Sequence, residues 1–436
     1  MDNSLVYLSY LFPPLSCGAN TRNTLLPRYL PRFGWKISVL TSTEPRGLPL
    51  DYSLLKKIPE ETVIRRVRHL DVMTALRKFT GKQNTQQADS FQREENRITL
   101  KDILKFYSLI PDRAITWMPD VVPAGINLVH DTNAKIILSA GPHHSLHLHA
   151  WLISRITGIK WIPYFGDLWI YDSYMQYPPG PIKWVHGLLE RAVIRNANGI
   201  ITTTPLSSEY FIRRYGSDCP PCTEVINGYD PENLPDITSS VHRTDTRLTI
   251  TYTGNLLGFN APDYLPDGIE DFLAANPEAE VKFVFVGSFD PGFKSRLQSD
   301  NFGKAVEFLD RVPADEVRKY QLEADVLMTC VADRPGCEVK NNAKLAEYVS
   351  VRKPILILCR RGDMADFLEE MQGGYFSEPN PEAVSKILQQ IYMDWKSDKM
   401  RGPANQEVAS RIFDMRENIR NLADFLRKIV DNETRF

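Results

Sequence analysis

Glu338–Leu358, EVKNNAKLAEYVSVRKPILIL, reads as a loop, then a helix of about three turns, then a short apolar strand after Pro354. The helix is expected to start near Asn341 or Asn342, because Asn is a good N-cap. The first peptide N–H groups of a helix lack intrahelical partners. Those of Asn342, Ala343 and Leu345, at the positive end of the helix dipole, would therefore suit an anionic phosphate. Lys344 adds a full charge in the first turn, and Glu347 lies one turn on, roughly on the same face. Phosphate donors beside a carboxylate suit a ligand that is part diphosphate and part sugar. The plainer alternative is an exposed Lys–Glu ion pair on a helix surface, worth a few tenths of a kcal/mol.

KLAEYVSVRKPIL, residues 344–356 of EVKNNAKLAEYVSVRKPILIL, resembles the donor-site segment of the retaining GT-B glycosyltransferases of family 4. The resemblance implies that Glu347 holds the nucleotide ribose and that backbone amides at the helix start hold the diphosphate. The earlier Glu that the family carries eight residues before is Val339 here, with Glu338 one place away. Thr253–Gly254–Asn255 resembles the family's first loop of the C-terminal domain, facing the donor phosphates. The Arg and Lys often found in or after that loop are absent, which leaves Lys340, Lys344 and Arg311 to neutralise the diphosphate. FLDRVPADEVRKYQLEADVLM, residues 308–328, also matches, and there the backbone near Arg311 and Val312 is implied to meet the nucleobase.

A chain of 436 residues suggests two domains. Its 43% apolar and 24% charged residues are ordinary for a globular protein, and a net charge of −2 gives no reason to expect nucleic acid. No apolar run reaches membrane-spanning length, and the start, MDNSLVYLSYLFPP, is not a basic-then-apolar signal. Among the six cysteines only Cys219 and Cys222 are close, as CPPC. That is the spacing of a redox or metal pair, but no second Cys or His pair follows it. A reduced, cytoplasmic setting without metal is the simplest reading.

The chain opens with an apolar strand, Leu5–Leu11, the turn FPPLSCGANTR, a helical stretch Thr24–Phe33, the stop Gly34, and the strand WKISVLTS. Strand, Gly loop, helix, strand begins a doubly wound α/β domain, with ligands expected at the strand C-termini. Gly18 would let backbone approach a phosphate or sugar closely, or it simply serves the turn. FPP, the small-residue loop, Arg22 and LPRFGWKISVLT resemble the same family's N-terminal segment, with Cys17–Gly18–Ala19 where two adjacent glycines are usual. Val63–Val67 reads as a strand, and Gln83–Asn96 as a polar loop without apolar periodicity. Val72–Phe79 and Leu100–Leu109 mix apolar with basic residues. They read as surface helices, or as a patch touching a membrane that carries a lipid-linked acceptor.

The β-rich run Lys135–Ala140 leads into GPHHSLHLHAW, with four of the chain's eight histidines. His143 and His144 follow the strand end, where such folds place reactive groups; His147 and His149 fall on different faces of the next helix. Their spacing does not fit three metal ligands on one face, and no acidic partner is adjacent. An acceptor-side or donor-sugar role for His143 or His144 stands against a structural one. WIPYFGDLWIYDSY then places Asp167 at a strand exit with Trp169 nearby. Carboxylates grip hydroxyls and aromatic faces stack on sugars; the alternative is a capping Asp beside a packed Trp. The segment resembles the family's F-R-D-x-W element with Gly166 in place of Arg. That makes Asp167 the candidate contact to the acceptor hydroxyl, helping its deprotonation. Ile182–Asn196 reads as a helix carrying Glu190 and Arg191 outward, and Gly199–Thr204 as a buried strand.

VINGYDPENLP, residues 225–235, resembles the family's interdomain segment and is turn-rich in its own right. Strand, loop, helix and strand then repeat: Leu248–Tyr252, TGNLLGFN, Gly268–Asn276, Val281–Gly287. Strands follow at Val306–Leu309, Val326–Met328 and Ile355–Leu358. Amphipathic helices close the chain, and Ile412–Leu426 is expected to cross back to the first domain. The expected fold is α/β, GT-B: two facing Rossmann-like, doubly wound parallel-sheet domains. The first, acceptor-side domain spans residues 1–226 with a returning helix at about 407–436, and the second, donor-binding domain spans 227–406. The implied activity moves a sugar from a nucleotide diphosphate-sugar to a sugar or lipid-linked hydroxyl acceptor, with retention. By family habit it belongs to bacterial surface-polysaccharide or lipopolysaccharide synthesis, in the cytoplasm or peripherally on the inner membrane face. Asp167, His144 and Lys344 are the catalytic candidates, with His143 and Trp169 on the acceptor side. No metal is required by that scheme, and no Asp-x-Asp triplet is present. The other readings are a GT-B nucleotide-sugar epimerase or hydrolase, and a non-catalytic sugar-binding protein.

Overall fold

The computed structural model describes residues 3–43, 50–69, 109–172, 180–234, 246–340 and 343–431. Val72–Phe79, Gln83–Asn96, Leu100–Leu109 as far as 108, Pro235, Asn341 and Asn342 lie outside these residues. The chain divides into two units. One takes the chain up to Asn227 together with Met415 onward, and the other takes Gly228–Asp414.

The first unit is built on seven strands: β1 (Asn3–Ser9), β2 (Trp35–Ser42), β3 (Val63–Val67), β4 (Ile136–Ala140), β5 (Lys160–Tyr164), β6 (Ile200–Thr202) and β7 (Cys222–Glu224). They pair in the order β3-β2-β1-β4-β5-β6-β7, all parallel. The second unit has β8 (Leu248–Leu256), β9 (Val281–Phe289), β10 (Val306–Leu309), β11 (Val326–Cys330), β12 (Ile355–Leu358) and β13 (Gly374–Ser377), in the parallel order β10-β9-β8-β11-β12-β13. Parallel strands need crossover connections, and the intervening helices cover both faces, so their strands read as apolar runs rather than alternations.

Burial explains the local choices. In β8 the sequence LTITYT sends Leu248, Ile250 and Tyr252 into a core with Tyr264, Leu265, Ile269, Phe272 and Val384. Thr249, Thr251 and Thr253 occupy the opposite face and are also buried. In the first unit Leu5 and Tyr7 of β1 join Leu25, Leu26 and Tyr29 of the helix Asn20–Tyr29. That core is completed by the last helix, Met415–Asp431, through Ile419, Leu422, Ala423 and Leu426. Trp35 Nε1 donates to Ala423 O at 3.2 Å and Asn418 Nδ2 to Ile226 O at 3.0 Å, fixing that helix from both sides.

Three expectations are corrected here. The last helix starts at Met415 rather than near residue 407, because the backbone turns extended at Asp414 and ends the preceding helix Gln406–Phe413. Ile412 thus belongs to the second unit. Thr253–Gly254–Asn255 is no loop: β8 runs through it, with Gly254 paired to Gly287 and Asn255 to Ser288. Ser288 N also donates to Asn255 Oδ1 at 3.2 Å, which keeps the pairing going past the expected strand end. Finally, Glu190 does not point outward. It is fully buried, accepting from Ile170 N at 3.0 Å and Tyr215 OH at 2.5 Å, with Arg214 at 3.3 Å. Burial raises its pKa.

Candidate functional site

Strand order reverses at β1/β4 in the first sheet and at β8/β11 in the second. Crevices outside the strand C-termini at such reversals are where open α/β sheets bind ligands. The second unit places Gly254, Lys344 and Glu347 by its reversal and the first places His143 and His144 by its own, whereas Asp167 follows β5 and Arg311 and Val312 follow the edge strand β10.

In the second unit the end of β8 meets the helix Ala343–Val351. Thr253 is the junction. Its carbonyl accepts from Lys344 Nζ, its N–H donates to Tyr348 OH at 3.0 Å, and its hydroxyl accepts from Gln321 Nε2 at 3.0 Å. The Gln321 amide also donates to Glu347 Oε1 at 2.8 Å. Only its NH2 end can donate to a carboxylate, so this bond fixes the amide's orientation. Gln321 is fully buried, while Glu347 remains half-buried. Lys344 is therefore turned in toward Thr253 rather than out to solvent. Its ammonium lies 5.2 Å from the Tyr252 ring centroid, a cation–π contact. Burial lowers its pKa, against the opposing pull of Glu347 and Cys330.

The backbone makes room for that ammonium. Gly254 has φ +131°, and a Cβ there would sit 1.8 Å from Lys344 Nζ. Across the ladder Gly287 has φ +138°, and its Cβ would strike Gly254 O at 2.0 Å. The loop before the helix is pinned separately. Glu338 Oε2 accepts from Gly336 N at 2.9 Å, Asp363 N donates to Glu338 O at 3.2 Å, and Lys340 N donates to Cys337 O at 3.2 Å. Lys340 is half-buried in this loop and Ala343 exposed at the helix start, with Leu345 buried beneath. Arg311 and Val312 follow β10 at the sheet edge, Arg311 exposed and Val312 half-buried. The structure thus brings Gly254, Lys344 and Glu347 together around Thr253. Gln321 and Tyr348, which do the holding, were not singled out in the sequence. Only the Thr face of β8 hinted at polar partners there.

In the first unit His143 and His144 follow β4, and His144 is the N-cap of the helix Ser145–Thr157. His143 takes φ +76°, a strained conformation for a residue with a Cβ, and its ring lies 4.7 Å from that of Tyr10. The acidic partner that is missing nearby in the sequence arrives from thirty residues upstream as Asp112. Its carboxylate accepts from Ser145 N at 2.9 Å and Ser145 Oγ at 2.8 Å, at the positive end of the helix. Burial works against its charge, but His143 and the Ser145 donors outweigh it and hold the carboxyl below its usual range. His144 is buried and stacked on Trp169 at 4.6 Å; burial lowers its pKa to about 4 despite Asp112 and Asp167. His147 bonds Ser139 Oγ at 2.8 Å, and burial takes its pKa well below 6.5. His149, also buried, falls to about 4.

Trp169 is corrected by its surroundings. It is fully buried, with His144 on one face and its Nε1–H donating to His186 Nδ1 at 2.9 Å, so the stacking surface expected for a sugar is taken by the histidine. Asp167 is half-buried at the exit of β5. Gly18 is exposed in the turn before Asn20, and a Cβ there would meet nothing of the chain within 4 Å. The glycine at 166 has a physical reason. A Cβ there would lie 2.9 Å from Nη1 of Arg22, whose Nη2 donates to Gly141 O at 2.8 Å and whose guanidinium covers the Tyr164 ring at 4.6 Å. Arg22 of the first helix thus occupies the space that a side chain at 166 would need. Among the described residues no group of three or more His, Cys, Asp or Glu could hold a metal ion, and no helix is long and apolar enough to cross a membrane.

No protein-family model matches the chain, and no curated protein matches it. Solved structures do. Sucrose-phosphate synthase from Thermosynechococcus elongatus superposes with a TM-score of 0.69 at 14% identity, covering 98% of this chain and 99% of that one. The Anabaena protein HepE in complex with UDP gives 0.64 at 14% identity, over 98% and 100%. The lipopolysaccharide outer core galactosyltransferase WaaB gives 0.60 at 12% identity, over 97% and 99%. With two parallel doubly wound sheets of seven and six strands, the chain has the GT-B fold.

Proposed function

We propose that this protein is a retaining glycosyltransferase of the family 4 type, moving a sugar from a nucleotide diphosphate-sugar to a hydroxyl acceptor. One observation carries the reading. At the β8/β11 reversal Lys344 is held against Thr253 and over Tyr252, with Gly254 cleared for it and Glu347 braced by Gln321. That is a cation for phosphate beside a carboxylate for hydroxyls, at the place where the fold receives ligands. HepE's complexes with UDP and with UDP-glucose support a uridine diphosphate-sugar as the first donor to test.

In this reading Lys344, helped by Lys340 and the amides of Asn342, Ala343 and Leu345, neutralises the leaving diphosphate, while Glu347 binds the ribose. Arg311 and Val312 border the base. The bond from the anomeric carbon to the phosphate oxygen breaks as the acceptor oxygen bonds to that carbon on the same face. The acceptor's proton passes to the departing phosphate oxygen. Asp167 orients the acceptor hydroxyl and helps its deprotonation; His144, uncharged at neutral pH because of its burial, and His143 shape the acceptor side, while the exposed Gly18 lets backbone approach the donor. No step of this scheme calls on a metal.

A lipid-linked acceptor fits a peripheral place on the inner membrane face, in surface-polysaccharide or lipopolysaccharide assembly. Trp184 and Leu188 are exposed on the helix Pro181–Asn196 beside Lys183, Arg191 and Arg195, which supports contact with an anionic lipid surface. Incubating the protein with UDP-sugars and hydroxyl acceptors tests the transfer itself. Release of free sugar with every acceptor, or no turnover of any donor, contradicts it.

A further inference from the structure

The Cys219–Pro220–Pro221–Cys222 turn takes no part in the residues above. It joins the short 3-10 turn Gly216–Asp218 to β7, the edge strand of the first sheet. Its two sulfurs lie 4.0 Å apart. Both side chains are half-buried and within reach of solvent, whereas Cys330, Cys337 and Cys359 are buried and Cys17 Sγ is tied to Asn20 Oδ1 at 3.4 Å. The backbone around the pair is held on both sides. Cys219 N donates to Gly216 O at 3.1 Å, Ile200 N to Pro221 O at 2.9 Å, and Cys222 pairs with Ile200 in the ladder. Two prolines stiffen the link between them. The sulfurs therefore stay near each other through the fold rather than by chance encounter. Closing to the roughly 2.05 Å of a disulfide asks for about 2 Å of movement, which side-chain rotation supplies.

The two thiols are not equivalent. The hydrogen bond between the two thiols lowers the pKa of Cys219 and, together with burial, raises that of Cys222. This is the asymmetry of an attacking and a resolving cysteine.

We propose that Cys219 and Cys222 form a reversible intramolecular disulfide by exchange with a low-molecular-weight disulfide. The Cys219 thiolate attacks one sulfur of the small disulfide, forming a mixed disulfide and expelling one thiolate. Cys222 then loses its proton and attacks Cys219 Sγ, expelling the second. Two protein thiols are oxidised, one small disulfide is reduced to two thiols, and the two protons leave with them.

The test uses the full chain and oxidised glutathione. Thiols are counted under denaturing conditions and the peptide spanning residues 216–224 is weighed. The protein should fall from its six cysteine thiols to four, with that peptide lighter by two hydrogens, and dithiothreitol should restore all six. Cys219→Ser should lose this response, and Cys17→Ser should keep it. Retention of all six thiols by the folded wild type would overturn the proposal. So would a stable glutathione adduct on Cys219 that Cys222 never displaces.

Discussion

Lys344 carries a buried charge that donates to the Thr253 carbonyl and is opposed in its burial by the nearby charge of Glu347. Taking such a charge out of water costs stability that a bound diphosphate would offset. Lys344→Met should therefore leave the ligand-free melting temperature unchanged or raised, yet weaken nucleotide-sugar binding by about 10- to 100-fold, as expected for a charge-assisted bond of roughly 1.5–3 kcal/mol. Calorimetric titration alongside a thermal melt reads both. Gln321→Leu should act more gently. Glu347 loses its brace, so affinity for the donor should drop several-fold while a bare inorganic pyrophosphate probe is unaffected. Equal losses for both ligands would show that Gln321 supports the whole site rather than the ribose end. Lys344 and Glu347 were legible in the sequence because they share a helix turn. Gln321 and Asp112 were not, since each acts on a residue 26 or 33 positions away. Such pairings exist only once the sheet order is known.

At the level of elements, the end of β8 is the part most sensitive to small changes. Gly287→Ala would drive a methyl into the Gly254 carbonyl and hold a residue with a Cβ at φ +138°. It should cost about 2–4 kcal/mol in a urea melt and open the β8–β9 ladder. Gly254→Ala should cost less stability, because its first clash is with the movable Lys344 amine, but it should abolish donor binding. The helix Ser145–Thr157 makes a different prediction. His144 and His149, together with His186 on the neighbouring helix, have pKa values of about 4, against 6.5 for an unfolded chain. Between those values the unfolded state binds more protons, so stability is present above pH 6.5 and is lost as pH falls toward 4. Unfolding at pH 5 should require less urea than at pH 7.5, by a few kcal/mol in total, with proton uptake on unfolding. A flat profile would mean that these rings are not held neutral.

Elements were read well where a run of β-branched and apolar residues marks them: β2, β3, β10 and β12 fall on the residues expected. Two of the misreadings share a cause. TGN looks like a loop because Gly and Asn favour turns, yet pairing to the facing Gly287 and Ser288 extends the strand through it. Glu190 looks like a surface charge because nothing local answers it; its partners Ile170, Arg214 and Tyr215 are distant in sequence. Long-range partners override local propensity in each case.

For the molecule as a whole, the doubly wound rhythm of strand, loop and helix was enough to expect two parallel sheets, and both are present. What composition and spacing do not encode is which nucleotide and which acceptor the fold serves. Binding of a nucleotide diphosphate-sugar by the second unit at Lys344 and Glu347 is the proposal on which the activity depends. The most direct test is a thermal-shift series on the wild type and Lys344→Met with UDP, GDP, ADP, CMP and dTDP and their sugars. One clear winner is expected for the wild type, with stabilisation near 2.7 kcal/mol at about a hundred times the dissociation constant, and a much reduced shift for Lys344→Met. No shift with any nucleotide in a well-folded sample, or equal shifts in both proteins, would contradict the proposal.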